Sequence, residues 1–335
     1  VLRVVLAGAG MVSRHHLIAW SKLADAKVVA VADPHEEKAA ARAGEFGIER
    51  AFADVARILD ETRPDAIDIA TPVETHAPVA RLAAGRGMAV LCQKPLAPTL
   101  AEAAALAAEI GPRAPVMVHE NWRFRTPYRL ARDWIAGGRI GRVRRFAISV
   151  ESSGLLTPPA GGRPPALVRQ PFMAELPRYI IFELLIHHLD LARTLASELR
   201  VVGAEAVCTS PFAKGEERAA ILLAGGGLFG TVTGDFAVPG RRPDLTDDVV
   251  VVGEEGRIAF DGEVLSLATQ AGVAEEIRFD RAEAYQSGYD GAIRHFVEAL
   301  RAGAEFETSL ADNLKTLRLV DDAYAACGSD KLGRA

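Results

Sequence analysis

Two clusters of side chains in this chain have the types and spacing of a proton-transfer site. The first is Gln93-Lys94-Pro95, which closes a strand-like apolar run. A residue before proline is held in an extended backbone state, and a bond to proline is the kind that adopts cis. A lysine fixed there can hydrogen-bond a substrate oxygen and stabilise charge as hydride leaves carbon. The second cluster is Phe182-Glu183-Leu184-Leu185-Ile186-His187-His188-Leu189-Asp190. On a helix Glu183 and His187 stand at i, i+4 and share a face, and Asp190 at i+3 from His187 lies close to it. A carboxylate beside an imidazole orients the ring and raises its basicity, which suits a general base near neutral pH. Taken singly, the lysine reads as a surface residue and the histidine as a satisfied core residue. Taken together, they suit removal of a hydroxyl proton.

A third motif supplies a partner for such chemistry. Gly8-Ala9-Gly10-Met11-Val12-Ser13 follows a strand pattern and opens a helix pattern. Glycine lets the backbone turn tightly and approach a pyrophosphate, and the helix N-terminus offers free N–H groups and partial positive charge. Ser13 stands where glycine or alanine is usual. Asp33 closes the next strand pattern, where a carboxylate accepts hydrogen bonds from both ribose hydroxyls and repels a 2′-phosphate. The expected cofactor is therefore NAD rather than NADP. An ordinary capping turn, with Asp33 solvated before Pro34, is the plainer alternative.

The elements that must position these residues alternate regularly over the first 120 residues. Strand patterns at 1–6, 27–32, 65–70, 88–92 and 116–120 are interleaved with helix patterns at 11–23, 36–46, 54–61, 74–86 and 100–110. That rhythm predicts βαβ units in a doubly wound parallel sheet. Ligands of such sheets bind beyond the carboxyl ends of the strands, where Thr71-Pro72 and Gln93-Lys94 fall. Beyond residue 120 the pattern predicts a helix at 127–136, a strand at 143–152 and a loop at 156–177. A helix at 180–196 follows, then strands over 201–279 in a large, mostly antiparallel sheet, and helices at 291–302 and 310–325. The fold class is thus α/β: a parallel Rossmann sheet followed by an α+β domain with an open sheet.

Composition narrows the function classes. The 335 residues suggest two domains, and 49% of them are apolar, enough for a sizeable core. A net charge of −5 argues against nucleic acid, and the run Arg139, Arg142, Arg144, Arg145 reads as a solvated helix end and strand start. The three cysteines, Cys92, Cys208 and Cys327, are too sparse for a disulfide framework. With no signal-like stretch and no bilayer-length apolar run, a cytoplasmic protein without membrane contact is expected. No metal is expected: the side chains of His15-His16 and of His187-His188 diverge by about 100° on a helix, and CxxC, HExxH and EF-hand patterns are absent. There is no GxSxG nucleophile elbow.

Taken together, GAGMVS with Asp33, IATPVETHAPVA, VLCQKPLA, ENWRF, IIFELLIHHLD, GAIRHFVEAL and FETSLADNLKTLRLVDDAY resemble the Gfo/Idh/MocA oxidoreductases over nearly the whole chain. The resemblance implies a Rossmann domain at 1–121 and a substrate-binding and oligomerisation domain at 122–335, paired through its sheet in a homodimer or homotetramer. It implies oxidation or reduction of a hydroxyl or keto carbon in a sugar, sugar acid or cyclitol. It assigns cofactor contacts to Gly8, Gly10, Met11, Val12, Asp33, Thr71, Pro72, His76, Gln93 and Lys94. Catalysis falls to Lys94, His187 and Glu183, and substrate contacts to Lys94, Asn121, Arg123, Arg178 and His187. The family's usual aspartate is Glu183 here, and its usual glutamate before the lysine is Gln93. Gln170-Pro171-Phe172 and Pro177-Arg178-Tyr179 look like a branch acting on sugar acids, D-apionate oxidoisomerases among them. Arg169 and Arg178 are candidate carboxylate grips there, and Tyr285 a candidate wall. An NAD-dependent glycosidase acting by transient oxidation, and a non-catalytic dinucleotide sensor, are the competing functions.

Overall fold

Five apolar runs of the N-terminal part, largely buried on both faces, pair as parallel strands, and a two-residue strand adds a sixth at the edge. The computed structural model describes residues 1–196 and 198–328. Its elements run β1 (Leu2–Ala7), α1 (Met11–Ser21), β2 (Ala26–Ala32), α2 (Glu36–Glu45), β3 (Ala51–Phe52), α3 (Val55–Thr62), β4 (Ala66–Ile69), α4 (His76–Ala84), β5 (Ala89–Gln93), α5 (Leu100–Ile110) and β6 (Val116–His119). The strand order is β3-β2-β1-β4-β5-β6, so the chain reverses direction across the sheet between β1 and β4. The crevice at such a reversal is where doubly wound sheets bind ligands.

The second part comprises α6 (Thr126–Ala136), β7 (Val143–Glu151), α7 (Pro165–Arg169), α8 (Ile186–Leu195), β8 (Arg200–Val207), β9 (Arg218–Gly225), β10 (Leu228–Asp235), β11 (Thr246–Gly253), β12 (Gly256–Phe260), β13 (Val264–Thr269) and β14 (Gly272–Arg278). The chain ends in α9 (Arg281–Ala302) and α10 (Leu310–Cys327). The eight strands lie in the order β14-β13-β12-β11-β7-β10-β9-β8. Only the β7–β10 pair is parallel.

Two compact units result. One is Val1–Arg125 with Tyr285–Leu317; the other is Thr126–Ala284 with the segment from Arg318. In the first unit α9 packs on α1, with Phe296 edge-on to Trp20 at 6.3 Å and Ile293 and Val297 in the same apolar cluster. The segment after α9 lines the free edge of β6: Val118 N–H donates to Thr308 O at 2.9 Å, and Met117 bridges Ser309. Covering an edge strand removes its unpaired ladder groups from solvent.

Three expected elements differ in detail. The stretch 156–177 is not wholly irregular, because Pro165 opens α7 and Pro171–Glu175 forms a 3-10 turn. The helix expected at 180–196 starts as a π-helix, Ile180–Leu185, and continues as α8. The helix expected from 291 begins ten residues earlier, at Arg281. Among the described residues no helix is long and apolar enough to cross a membrane.

Candidate active site

The glycine turn is built at the sheet's point of reversal. Gly8 has φ +99°, and a Cβ there would sit 2.4 Å from Ala70 O, the carbonyl just beyond β4. Gly10 lies at φ −70° with open space where its Cβ would be, and it caps α1 without a side-chain hydrogen bond. No acidic residue stands in the first turn of α1, so Met11 and Val12 present their N–H groups at an uncapped, positive helix end. Asp33 Oδ2 accepts from Ala9 N–H and Oδ1 from His35 N–H, both at 2.9 Å. That uses two of the roughly four acceptor sites of a carboxylate and leaves the others for hydroxyls. Thr71 Oγ1, at the end of β4, is buried with no hydrogen-bond partner in the protein. An uncapped helix end, a glycine cradle and an orphaned hydroxyl on adjacent strands fit a bound dinucleotide.

Arg42, which the sequence did not single out, also reaches this turn. Its Nη2 donates to Gly10 O at 3.2 Å and its Nη1 to Glu45 at 2.5 Å. Glu45 also accepts from Arg14, and that bond holds its carboxyl below the ordinary range.

On the next strand, Lys94 follows β5, and the Lys94–Pro95 peptide is cis. His76 ties this bend to the end of β4: its Nδ1 lies 2.8 Å from Pro95 O and its Nε2 2.9 Å from Thr71 O. Burial keeps the ring below the usual imidazole range, and the nearby Lys94 charge adds to that effect. A neutral ring donates from one of these two nitrogens only, so one carbonyl is hydrogen-bonded and the other packs against the ring, which places His76 between the two loops, while Pro72 at its side is exposed. Gln93 is buried beneath Lys94: its Oε1 accepts the Lys94 N–H at 2.9 Å and its Nε2 faces His16 and His119. Asn121 is buried after β6.

Arg123 is committed to the fold. Its Nη2 donates to Asp312 at 2.8 Å and Nη1 to Glu307 O at 3.1 Å, with the side chain 6% exposed. Arg125 instead covers Trp122 at 3.6 Å and Tyr285 at 4.9 Å. Tyr285 OH lies 3.1 Å from Tyr289 OH on the same helix, and its ring meets His15 of α1 edge-on at 5.2 Å, which makes Tyr285 part of the packing between α9 and α1.

In the second unit the π-turn is capped by a residue distant in sequence. Glu216 is fully buried; its carboxylate accepts from Tyr179 and Ile181 N–H at 3.2 Å and from Tyr324 OH at 2.6 Å. Burial pushes the Tyr324 hydroxyl far above its ordinary range, so it stays a donor. Glu183 lies within the π-turn, half-buried, and His187 opens α8, 5% exposed. His188 points the other way: its Nε2 lies 3.0 Å from Asp247, which also accepts from Tyr128 OH at 2.6 Å. That pair anchors α8 to β11 and α6. Asp190 sits 3.5 Å from Arg193. Arg178 pairs with Asp321 at 2.7 Å between the rings of Phe182 and Tyr324, and Arg169 with Asp244 at 3.1 Å. Among the described residues no group of three or more His, Cys, Asp or Glu could hold a metal ion.

Known proteins share this architecture. Residues 2–119 match the oxidoreductase family with an NAD-binding Rossmann fold, and residues 128–259 match the GFO/IDH/MocA C-terminal domain. A D-apiose dehydrogenase of Paraburkholderia graminis is 33% identical over 331 residues, which cover 95% of this chain and 86% of that protein. An inositol 2-dehydrogenase of Rhizobium meliloti is 30% identical over 96% of each chain. The crystal structure of an oxidoreductase from Agrobacterium radiobacter in complex with NAD+, L-tartaric acid and magnesium is 29% identical, with a TM-score of 0.88 over 98% of this chain and 97% of that one. The chain belongs to the Gfo/Idh/MocA family of NAD-binding oxidoreductases.

Proposed function

We propose that this protein is an NAD-dependent dehydrogenase acting on a hydroxyl or keto carbon of a sugar, sugar acid or cyclitol. The observation that carries the reading is the alignment of the glycine turn, Thr71 and Lys94 along the carboxyl ends of β1, β4 and β5. Bound NAD supplies the hydride acceptor or donor. Met11 and Val12 N–H groups bind the pyrophosphate, Asp33 accepts the ribose hydroxyls, and Thr71 Oγ1 donates to the cofactor. Asp33 disfavours a 2′-phosphate, and Arg42 is already engaged by Glu45 and Gly10 O.

Lys94 polarises the reacting oxygen in this reading. His187 takes or returns the hydroxyl proton, and Glu183 orients its ring. Asn121 contributes to the substrate pocket. The relatives that act on D-apiose and inositol support a small polyhydroxylated substrate. The protein works as a cytoplasmic homo-oligomer, a setting that suits three cysteines too sparse for a disulfide framework.

The test is a screen of D-apiose, inositols and sugar acids with NAD and NADP, followed by Lys94→Ala and His187→Ala. General acid–base groups contribute about 10²–10⁴-fold, so each variant should lose that much kcat while NAD still binds by fluorescence titration. Near-normal turnover in both variants would refute the assignment. Turnover without net NADH would point instead to transient oxidation.

A further inference from the structure

A buried polar chain runs behind Lys94 through four elements of the first unit. Trp20 Nε1 and His16 Nδ1, on α1, lie 2.7 and 2.8 Å from Asp68 Oδ2 on β4. His16 Nε2 lies 3.0 Å from Gln93 Nε2, and that nitrogen lies 3.3 Å from His119 Nδ1 on β6. His16, Asp68 and His119 are fully buried, and Gln93 is 8% exposed. The two imidazoles lie with centroids 4.3 Å apart and planes inclined by 33°.

Hydrogen-bond logic assigns the protons along this chain. The Lys94 N–H can only donate, so the Gln93 oxygen must face it and the Gln93 nitrogen must face the rings. An amide nitrogen also only donates, so His16 Nε2 and His119 Nδ1 must both accept. Both rings are then neutral. His16 carries its proton on Nδ1, directed at Asp68, and His119 carries its proton on Nε2. A glutamate at 93 would set acceptor against acceptor, and a leucine would remove the bond to Lys94 altogether.

We infer that Gln93 is a positioning residue, whose amide is oriented by the neutral His16–His119 pair and in turn holds the backbone of Lys94 at the end of β5. The inference rests on the proposed role of Lys94. The charged and titratable groups around the rings are Asp68 from β4, Lys94 after β5, Glu120 beside His119, and Tyr289 from α9, 5.4 and 5.3 Å from the two ring centres. Burial holds the Tyr289 hydroxyl well above its ordinary range, so it stays protonated beside the rings.

Two measurements test this. Long-range proton–nitrogen NMR of the NAD-bound protein at neutral pH should show His16 protonated on Nδ1 only and His119 on Nε2 only. Steady-state kinetics of Gln93→Leu should show kcat reduced about tenfold or more, as expected for a misplaced catalytic group, with KM for NAD within about twofold. Gln93→Glu needs an imidazole to gain a proton. The ratio of its kcat to that of wild type at the same pH should therefore rise toward one as pH falls and drop as pH rises over about pH 5–8, where histidines titrate; taking the ratio removes the pH dependence that the proposed proton exchange at His187 gives both proteins. A doubly protonated ring in the wild type, or Gln93→Leu with unchanged kcat, overturns the inference. Lys94→Ala separates the two readings. If it keeps full turnover, the role of Lys94 fails whatever the tautomers; if it is inactive, a failed tautomer or leucine result counts against Gln93 alone.

Discussion

Gly8 and Gly10 stand two residues apart and answer to different constraints. At Gly8 the backbone is left-handed and a methyl would strike Ala70 O, so the limit is set by the protein itself. A non-glycine residue held in such a conformation costs about 1–3 kcal/mol, before the clash is counted. Gly8→Ala should therefore lower Tm and weaken NAD together, as β1 and β4 are forced apart. At Gly10 the backbone is ordinary and the space is open. Gly10→Ala should leave Tm within about 1 °C, since surface changes free of strain stay near ±0.5 kcal/mol, yet weaken NAD by placing a methyl over the uncapped helix end. Thermal denaturation with and without NAD measures both. Equal loss of Tm in the two variants would contradict this division between fold and binding.

At the scale of the element, the π-turn before α8 depends on Glu216. Its carboxylate satisfies two N–H groups at a helix start, and negative charge is favourable there. Glu216→Ala would strand buried donors at about 1–3 kcal/mol each. The expected result is a lower Tm and a lower kcat, because His187 rides on the helix that this cap begins, with NAD affinity unchanged. Glu216→Gln keeps one acceptor oxygen and should fall between. A Glu216→Ala protein with wild-type Tm and kcat would show that the cap carries no weight.

The same scale shows what the sequence could and could not disclose. The strands β1, β2, β4, β5 and β6 were legible because burial on both faces leaves continuous apolar runs. The two-residue β3 is too short to make a pattern. The first turns of α9 carry Glu283, Gln286 and Asp290, and Gly288 reads as a breaker. In the fold Gly288 is needed because a Cβ would lie 2.8 Å from Asn121 O. The glycine turn was legible as a local string. The chain Asp68–His16–Gln93–His119 was not, since its members belong to four separate elements and only tertiary packing joins them. The cap Glu216 was hidden for the same reason, and the π-turn has no periodicity that sets it apart from an α-helix over six residues.

At the scale of the whole molecule, the eight-stranded sheet has one face packed against the π-turn and α8, and its other face half-exposed. Alternation along the strands places Ala147, Ala220, Leu222, Phe229, Val250, Val252 and Ala259 on that outer face. Phe229 is 56% exposed and Leu222 39%. On that face they are interspersed with Arg145, Ser149, Thr231 and Asp248, a mixed surface of the kind that suits association. One end of the face is polar, with a cavity of about 280 Å³ bordered by Glu151, Glu205, Arg218, Thr233 and Asp235. A second copy of the chain, related by a two-fold axis, would cover both the apolar centre and this rim. Burial at about 25 cal/mol per Å² of apolar surface favours such a contact, against the entropy cost of association. Light scattering coupled to size exclusion should then give a dimer or a multiple of it for the wild type. Phe229→Lys combined with Leu222→Lys should shift the mass toward monomer and leave NAD binding intact, because the glycine turn belongs to the other unit. A monomeric wild type, or an unchanged mass in the double variant, would mean that this face serves some purpose other than self-association.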